Sequence, residues 1–313
     1  MNSAGIGSNE DLAARIASVD WYHTVDLGNG VVTPGHYDHR NYLDLYGLPE
    51  SLSEKTALDL GAASGFFSFE LERRGAKVTA TDLPEWYDHD FGPNYSIEQD
   101  QETLQNYLRE PFEIARQALG ADVEKKFINI YDVSPETVGI HDFVFCGSLL
   151  IHLTDPIKAL RNIASVTGDK AIIATVITED DPDRPFAYMT GYDQGDSFWV
   201  PTRSCLELMA ASSGFAGVEW HSDFRLDYSD GSPGPYHGVI HAYKKESGWS
   251  DKTISSEAMI EQQRDKNSDA ALAGDARQRE LDQLKNENAR LRDQVAAFEQ
   301  RKFIRLTRRL RGK

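Results

Sequence analysis

Cysteine is scarce in this chain: Cys146 and Cys205 are the only two among 313 residues. Two cysteines make no disulfide framework, and both read as small core residues, not nucleophiles. Long apolar runs are missing too. No window approaches the roughly 18 uninterrupted apolar residues that a membrane span needs. The opening "MNSAGIGSNEDLAARIASVD" has neither a basic start nor an apolar core, so it does not read as a secretory signal. These absences lead to the expectation of a cytoplasmic protein. Cations are short as well: 33 Lys and Arg stand against 50 Asp and Glu, a net charge of −17. Seven of those cations fall in the last thirteen residues, "RKFIRLTRRLRGK", so the other 300 residues carry −24. A body that acidic repels phosphate backbones, which counts against a nucleic-acid substrate.

What is present is an alternation. Apolar runs at 56–60, 77–82, 126–131, 141–146 and 171–177 read as strands, and the stretches at 66–74, 97–119 and 156–166 read as helices. Strands alternating with helices imply a parallel sheet with right-handed crossovers. After a helix at 203–213, two further strands fit 217–224 and 236–243. The turn between them, "YSDGSPGP", is too short for a crossover helix, so this pair is antiparallel at the sheet edge. The expected fold is α/β, a doubly wound, Rossmann-like, mostly parallel seven-stranded sheet with an antiparallel edge strand. Before it, residues 1–54 hold a short helix at 10–19 and a lid-like loop rich in aromatics and histidines. Beyond it the chain is polar at 246–276, as in a linker. Residues 277–300 then place Leu281, Asn288 and Val295 seven apart, with Leu284, Leu291 and Phe298 between them. That is an a/d heptad with Asn at a central a position, which suits a parallel homodimeric coiled coil. A lone amphipathic helix docking on its own domain fits the same pattern. The basic tail 301–313 aligns Phe303, Leu306 and Leu310 on one stripe. It suits an anionic membrane surface, such as the inner membrane, or an acidic partner, and a disordered solubilising tail reads the same way.

The chemistry is concentrated in "ALDLGAASGFFSFELERRGAKVTATD". Asp59-x-Gly61-x-Ala63-x-Gly65 follows a strand and opens a helix. Glycine lets the backbone approach a ligand, and a helix N-terminus offers free N–H groups and positive potential. Asp82, ending the next strand, is placed to accept hydrogen bonds from a ribose diol. The logic is that of dinucleotide-binding turns, but the spacing differs, and Ala63 stands where a middle glycine can be. A purely structural strand-to-helix turn is the plainer reading of the glycines alone.

These residues resemble the class I S-adenosylmethionine-dependent methyltransferases over residues 21–245. The nearest branch holds the tRNA wobble-uridine carboxymethyltransferases with their small-molecule and polysaccharide relatives. "WYHTVDLGNGVVTPG", "LDLGAASGFFSFELERRGAKVTATD", "FVFCGSLLIHLTDPIKAL" and "FWVPTRSCLELMAASSGF" carry the likeness. It implies a methyltransferase domain at 55–245 using S-adenosyl-L-methionine. By that resemblance Asp59, Gly61, Ala62 and Gly65 line the methionine end and Asp82 holds the ribose. Asp132 and Val133 would frame the adenine, and Cys146 and Gly147 would close the floor.

A carboxymethyl donor brings an extra carboxylate. The tRNA branch meets it with a Tyr before the post-strand His and a Lys in the N-terminal segment. Here Ile151 precedes His152, and no lysine occurs before Lys55. The expectation is therefore O-methylation of a small molecule or glycan, with tRNA carboxymethylation as the second enzyme reading and an inactive methyltransferase-fold scaffold as the third. His152, His36 and His39 are the candidate bases, since histidine moves protons near neutral pH. They can equally stabilise their loops, with Arg40 paired to an acid. No metal is expected, because the spacing of His36, Asp38 and His39 alone is weak support for one. Tyr188, Tyr192, Trp199 and Arg203 are the candidate acceptor contacts; the same aromatics can simply seal an insertion against the sheet.

Overall fold

The computed structural model describes residues 9–93, 95–96, 101–191, 195–268, 270, 277–278 and 281–287. The chain divides into two compact units, Met1–Ile260 and Glu261–Lys313.

In the first unit, helix α1 (Asn9–Ala17) and the short helix α2 (Leu43–Tyr46) precede the alternating core. Strand β1 (Thr56–Leu60), helix α3 (Phe66–Arg73), strand β2 (Lys77–Asp82), helix α4 (Gln101–Leu119) and strand β3 (Glu124–Phe127) follow. Then come β4 (His141–Gly147), α5 (Pro156–Val166) and β5 (Thr167–Val176). A hairpin of β6 (Ala187–Met189) and β7 (Trp199–Pro201) stands apart as its own small sheet. Helix α6 (Arg203–Ala211), β8 (Gly217–Arg225), β9 (Tyr236–Tyr243) and β10 (Ile254–Ser255) complete the unit.

The main sheet runs β10-β8-β9-β5-β4-β1-β2-β3. Its five strands from β3 to β5 are parallel, and β9, β8 and β10 are antiparallel. Strand order reverses between β1 and β4, which opens the crevice at their carboxyl ends where doubly wound sheets bind ligands. The expected architecture is present with one strand more. Within the span expected to be linker, Ile254 pairs with Val218 and Ser255 with Gly217, giving β8 a partner on its outer side.

Both faces of the sheet are covered, so its central strands are buried on both sides: β1 reads TALDL with four buried residues in a row. One layer packs Phe66, Phe67, Phe112 and Phe145, and the other packs Leu58, Val144, Leu160 and Ile173. The third strand was expected at 126–131, but it ends at Phe127, where its partner β2 ends at Asp82. The Asn129 side chain then accepts the Tyr131 N–H at 3.0 Å and turns Ile130–Asp132 into a 3-10 helix. The helix expected from residue 97 is described from Gln101 onward.

In the second unit the described residues are helical, and Leu281 and Leu284 are 46% and 59% exposed. The remaining heptad positions Asn288, Leu291, Val295 and Phe298 lie outside the described residues, as does the tail 301–313. Among the described residues no helix is long and apolar enough to cross a membrane.

Candidate functional site

The turn after β1 is built by its own backbone. Gly61 and Ala62 both donate to the Thr81 carbonyl, at 3.1 and 2.9 Å, which folds the turn onto the end of β2. Gly61, Ala63 and Gly65 all take positive φ, of 75°, 47° and 89°. Gly65 is required twice over: it caps α3 in the left-handed region, and a Cβ there would lie 2.6 Å from the Phe69 ring and 2.7 Å from that of Phe112. Ser64 ties the turn to the N-terminal segment, its hydroxyl accepting the Tyr22 N–H at 3.0 Å.

Beyond the turn lies a cavity of about 760 Å³ at the carboxyl ends of β1 and β4, within the roughly 300–1,000 Å³ typical of small-molecule sites. Asp59, Gly61, Ala62, Asp82 and Gly147 line it, as expected. Four other expected cofactor residues do not. Gly65 packs against the phenylalanines just described. Val133 and Cys146 sit 2% and 0% exposed in the opposite layer, and burial pushes the Cys146 thiol up to about 12. Asp132 is likewise off the wall, because the 3-10 turn presents Asn129, Ile130 and Tyr131 instead. The strand expected to run to residue 131 stops four residues earlier, and the lining moves back with it.

The carboxylates of this corner are held in different ways. Asp59 is 2% exposed and accepts the Ser68 hydroxyl at 2.5 Å; burial pushes its carboxyl up to about 7 against that hydrogen bond. Asp82 accepts N–H groups from Ala63 at 3.1 Å and Leu83 at 3.0 Å, and pairs with the buried Lys125 ammonium at 3.3 Å. Asp82 lines the cavity, and a carboxylate oxygen carries two lone pairs, so Oδ1 can accept a ribose hydroxyl besides the Leu83 N–H.

Opposite the turn the wall is aromatic and comes from four separate stretches. The N-terminal segment gives Tyr22, His23, Tyr37, His39 and Tyr46. The insertion after β2 gives Trp86, His89, Phe91, Tyr95 and Tyr107, with Phe91 and Tyr95 stacked at 4.0 Å. The hairpin region gives Thr190, Asp196, Ser197 and Val200, the loop after β8 gives Tyr228, and the start of β9 gives His237. Tyr37 bridges these parts, its ring 5.2 Å from Tyr22 and 5.0 Å from Tyr228. The Gly92 N–H donates to the Gly195 carbonyl at 2.7 Å and ties the insertion to the hairpin.

Of the expected bases, His152 and His39 line the cavity, and His36 does not. His36 is exposed and engages neighbours through its backbone. Asp38 forms a bidentate pair with Arg40, at 2.6 and 2.8 Å, so His36, Asp38 and His39 are not gathered around a common point. The Nδ1 of His152 faces the Asp196 carbonyl at 2.5 Å. A carbonyl only accepts, so Nδ1 carries the proton and Nε2 keeps its lone pair. His39 is bonded through Nδ1 to the Tyr46 hydroxyl at 2.9 Å. Burial, and then the nearness of His23 and His237, holds it well below the usual histidine range. Two histidines that the sequence reading left aside also face the cavity. Burial lowers His23 to about 3 and His237 to about 4. The buried Nδ1 of His23 has no hydrogen-bond partner, a group that a ligand hydroxyl would satisfy.

The expected acceptor contacts fare less well. Tyr188 is 47% exposed and donates to Asp180; Trp199 donates to the Thr154 carbonyl at 3.2 Å; Arg203 lies over the Trp220 ring, 4.8 Å from its centroid. None of these three lines the cavity, and Tyr192 lies outside the described residues. The aromatic-rich insertion was read as a wall, but none of its described rings lines the cavity: Tyr188 is exposed, Phe186 and Trp199 are half-buried, and Phe198 is buried elsewhere. Glu219, His221 and His241 cluster on β8 and β9, with ligand atoms within 4.8 Å of one another. Their two imidazoles stack at 4.2 Å and 16°, so their in-plane lone pairs do not converge on one ion.

One property of the cavity follows from its composition. Among the described residues no Lys or Arg lines it, while Asp59, Asp82, Asp88, Asp90 and Asp196 do.

A family model described as Methyltransferase domain matches residues 36–219. A tRNA U34 carboxymethyltransferase of Trichodesmium erythraeum is 25% identical over 171 residues, 54% of this chain and 46% of that protein. A ubiquinone biosynthesis O-methyltransferase of Vibrio campbellii is 28% identical over 115 residues, 36% of this chain and 39% of that one. The chain thus spans about half the length of the curated relatives it matches. Among solved structures, the N-terminal domain of EvdMO1, determined in the presence of SAH and D-fucose, superposes with a TM-score of 0.54 at 17% identity. That match covers 78% of this chain and all of that domain, and it establishes the shared fold.

Proposed function

The chain belongs to the methyltransferase-domain family, and from that premise we propose that it transfers a methyl group from S-adenosylmethionine to a hydroxyl of an uncharged small molecule or sugar. The observation that carries this reading is the charge of the cavity. It has an aromatic wall, five carboxylates and no Lys or Arg among its described lining. An uncharged hydroxylated ring can stack on tyrosine and bond to Asp and His, whereas a phosphate or carboxylate would find no cation. The fold is shared with the EvdMO1 domain, which was determined in the presence of SAH and D-fucose.

A sulfonium supplies an already activated methyl carbon. What remains for the protein is alignment, exclusion of water and removal of one proton. The turn at Gly61–Ala63 would hold the methionine end of the donor, and the Asp82 carboxylate its ribose. His152 Nε2 would take the proton of the acceptor hydroxyl as its oxygen bonds to the methyl carbon and the carbon–sulfur bond breaks, leaving that electron pair on sulfur as a thioether, while the Asp196 carbonyl keeps the imidazole in the productive tautomer. His23 and His39, kept neutral by burial, orient the acceptor without adding charge.

Carboxymethyl transfer to tRNA is the second reading, supported by the similarity to the U34 carboxymethyltransferases. It demands a cation for the donor's extra carboxylate, and Ile151 lines the cavity beside His152 where that branch carries Tyr. Calorimetry with S-adenosylmethionine and its carboxy derivative, with Asp82→Asn as control, separates the readings. We expect the plain cofactor to bind at least tenfold tighter and the variant to lose that binding. Preference for the carboxylated form would overturn the proposal in favour of tRNA, and failure of both to bind would favour a scaffold.

A further inference from the structure

We propose that Lys125 is the positioning residue that lets an alanine do a glycine's work in the cofactor turn. Ala63 sits at φ 47°, a left-handed conformation that a residue with a Cβ avoids unless its surroundings impose it. Those surroundings are specific. The Ala63 N–H donates to Asp82 Oδ2 at 3.1 Å, and the Ala63 carbonyl accepts from Lys125 Nζ at 3.3 Å. The peptide groups on either side of the Ala63 Cα are therefore both pinned, which fixes φ and ψ together. The same ammonium pairs with Asp82 Oδ2 at 3.3 Å and donates to the Leu108 carbonyl at 2.8 Å.

An ammonium has three N–H donors, and here all three are used, on the turn, on the end of β2 and on α4. The Lys125 side chain is 9% exposed and lies over the Phe112 ring, 4.5 Å from its centroid, so water does not compete for those donors. Lys125 does not itself line the cavity, while the three residues it holds, Ala63, Asp82 and Leu108, do. Its effect on the cofactor is thus indirect. It sets where the turn's N–H groups point, and it orients Asp82 so that Oδ1 is left for a ribose hydroxyl.

The inference rests on the cofactor reading for its binding consequence, but not for its structural one. The test is a double-mutant cycle between Lys125→Met and Ala63→Gly, read by S-adenosylmethionine calorimetry and by melting of the cofactor-free protein. Lys125→Met should weaken binding at least tenfold. Measured in the Ala63→Gly background, the loss caused by Lys125→Met should be at least threefold smaller, because glycine holds the turn without a clasp. Melting temperatures should show the same coupling. Strict additivity in both readouts, or a Lys125→Met variant binding within twofold of wild type, would overturn the clasp. Should Lys125→Met not fold, Lys125→Gln keeps a donor and serves in the same cycle. If the wild-type protein itself fails to bind S-adenosylmethionine, the cofactor reading falls, while coupling between the two positions in melting still decides the clasp.

Discussion

The turn at Gly61–Gly65 takes its bonds from its own residues and from the ends of the adjoining strands, at Thr81, Asp82 and Lys125. The wall across the cavity takes Tyr22, Tyr37, Trp86, Tyr95, Ser197, Tyr228 and His237 from stretches scattered along most of the domain. The first region is rigid by construction: positive-φ positions, ladder hydrogen bonds and a buried ion pair leave it one conformation. The second is a meeting of loops, held by ring contacts and a few cross-ties such as Gly92 to Gly195. The difference teaches where each kind of property resides. On the proposed function, affinity for the cofactor would belong to the sheet and choice of acceptor to the loops.

The contrast can be broken most directly at Gly65. Gly65→Ala forces a Cβ into the left-handed region and against two phenylalanine rings, and should cost about 3 kcal/mol in chemical denaturation. A loss under 1 kcal/mol would mean the turn is softer than its hydrogen bonds imply. On the other wall, His152→Gln should lower the single-turnover rate about a hundredfold, with cofactor affinity kept within twofold. The acceptor would come from a screen of neutral sugars and polyols. Equal losses in rate and affinity would merge the two regions that the geometry separates.

A smaller effect concerns pH. The Asp59 carboxyl is pushed up to about 7 when folded, from 3.8. The folded state therefore binds a proton that the unfolded state has released, and stability falls as pH rises from about 4 to about 7, by at most about 1.4 kcal/mol per pH unit. His23 and His237, lowered by burial, act in the opposite sense below about pH 6.5, so the wild-type curve alone is ambiguous. The difference between wild type and Asp59→Asn isolates the carboxyl: the variant's advantage should grow from pH 4 to pH 7. Smallest of all, His36→Ala should change stability by less than about 0.5 kcal/mol and leave transfer intact, since that ring is exposed and off the cavity.

The same contrast explains what could be read from residues alone. The Rossmann-like sheet, the glycine turn and the acid at Asp82 follow from local apolar runs and from residue types whose backbone demands are strict. Cys146 and Val133 went astray because a strand's period of two decides which face a residue takes. An uncertain strand end, as at 126–131, leaves that phase undetermined. Tyr188, Trp199 and Arg203 were selected by chemistry from the correct insertion, but the orientation of a hairpin against a cavity is set by tertiary contacts such as Phe198 N–H to the Ile151 carbonyl at 2.7 Å. His237 carried no local signal at all. It matters because β9 inserts beside β5 and carries its first residues to the cavity mouth.

The absence of Lys and Arg from the described lining has a consequence for turnover. On the proposed function, the lining aspartates would attract the positive sulfonium of the donor and find no such charge on the thioether left after transfer. The same lining that suits an uncharged acceptor would then hold spent donor less tightly than fresh donor.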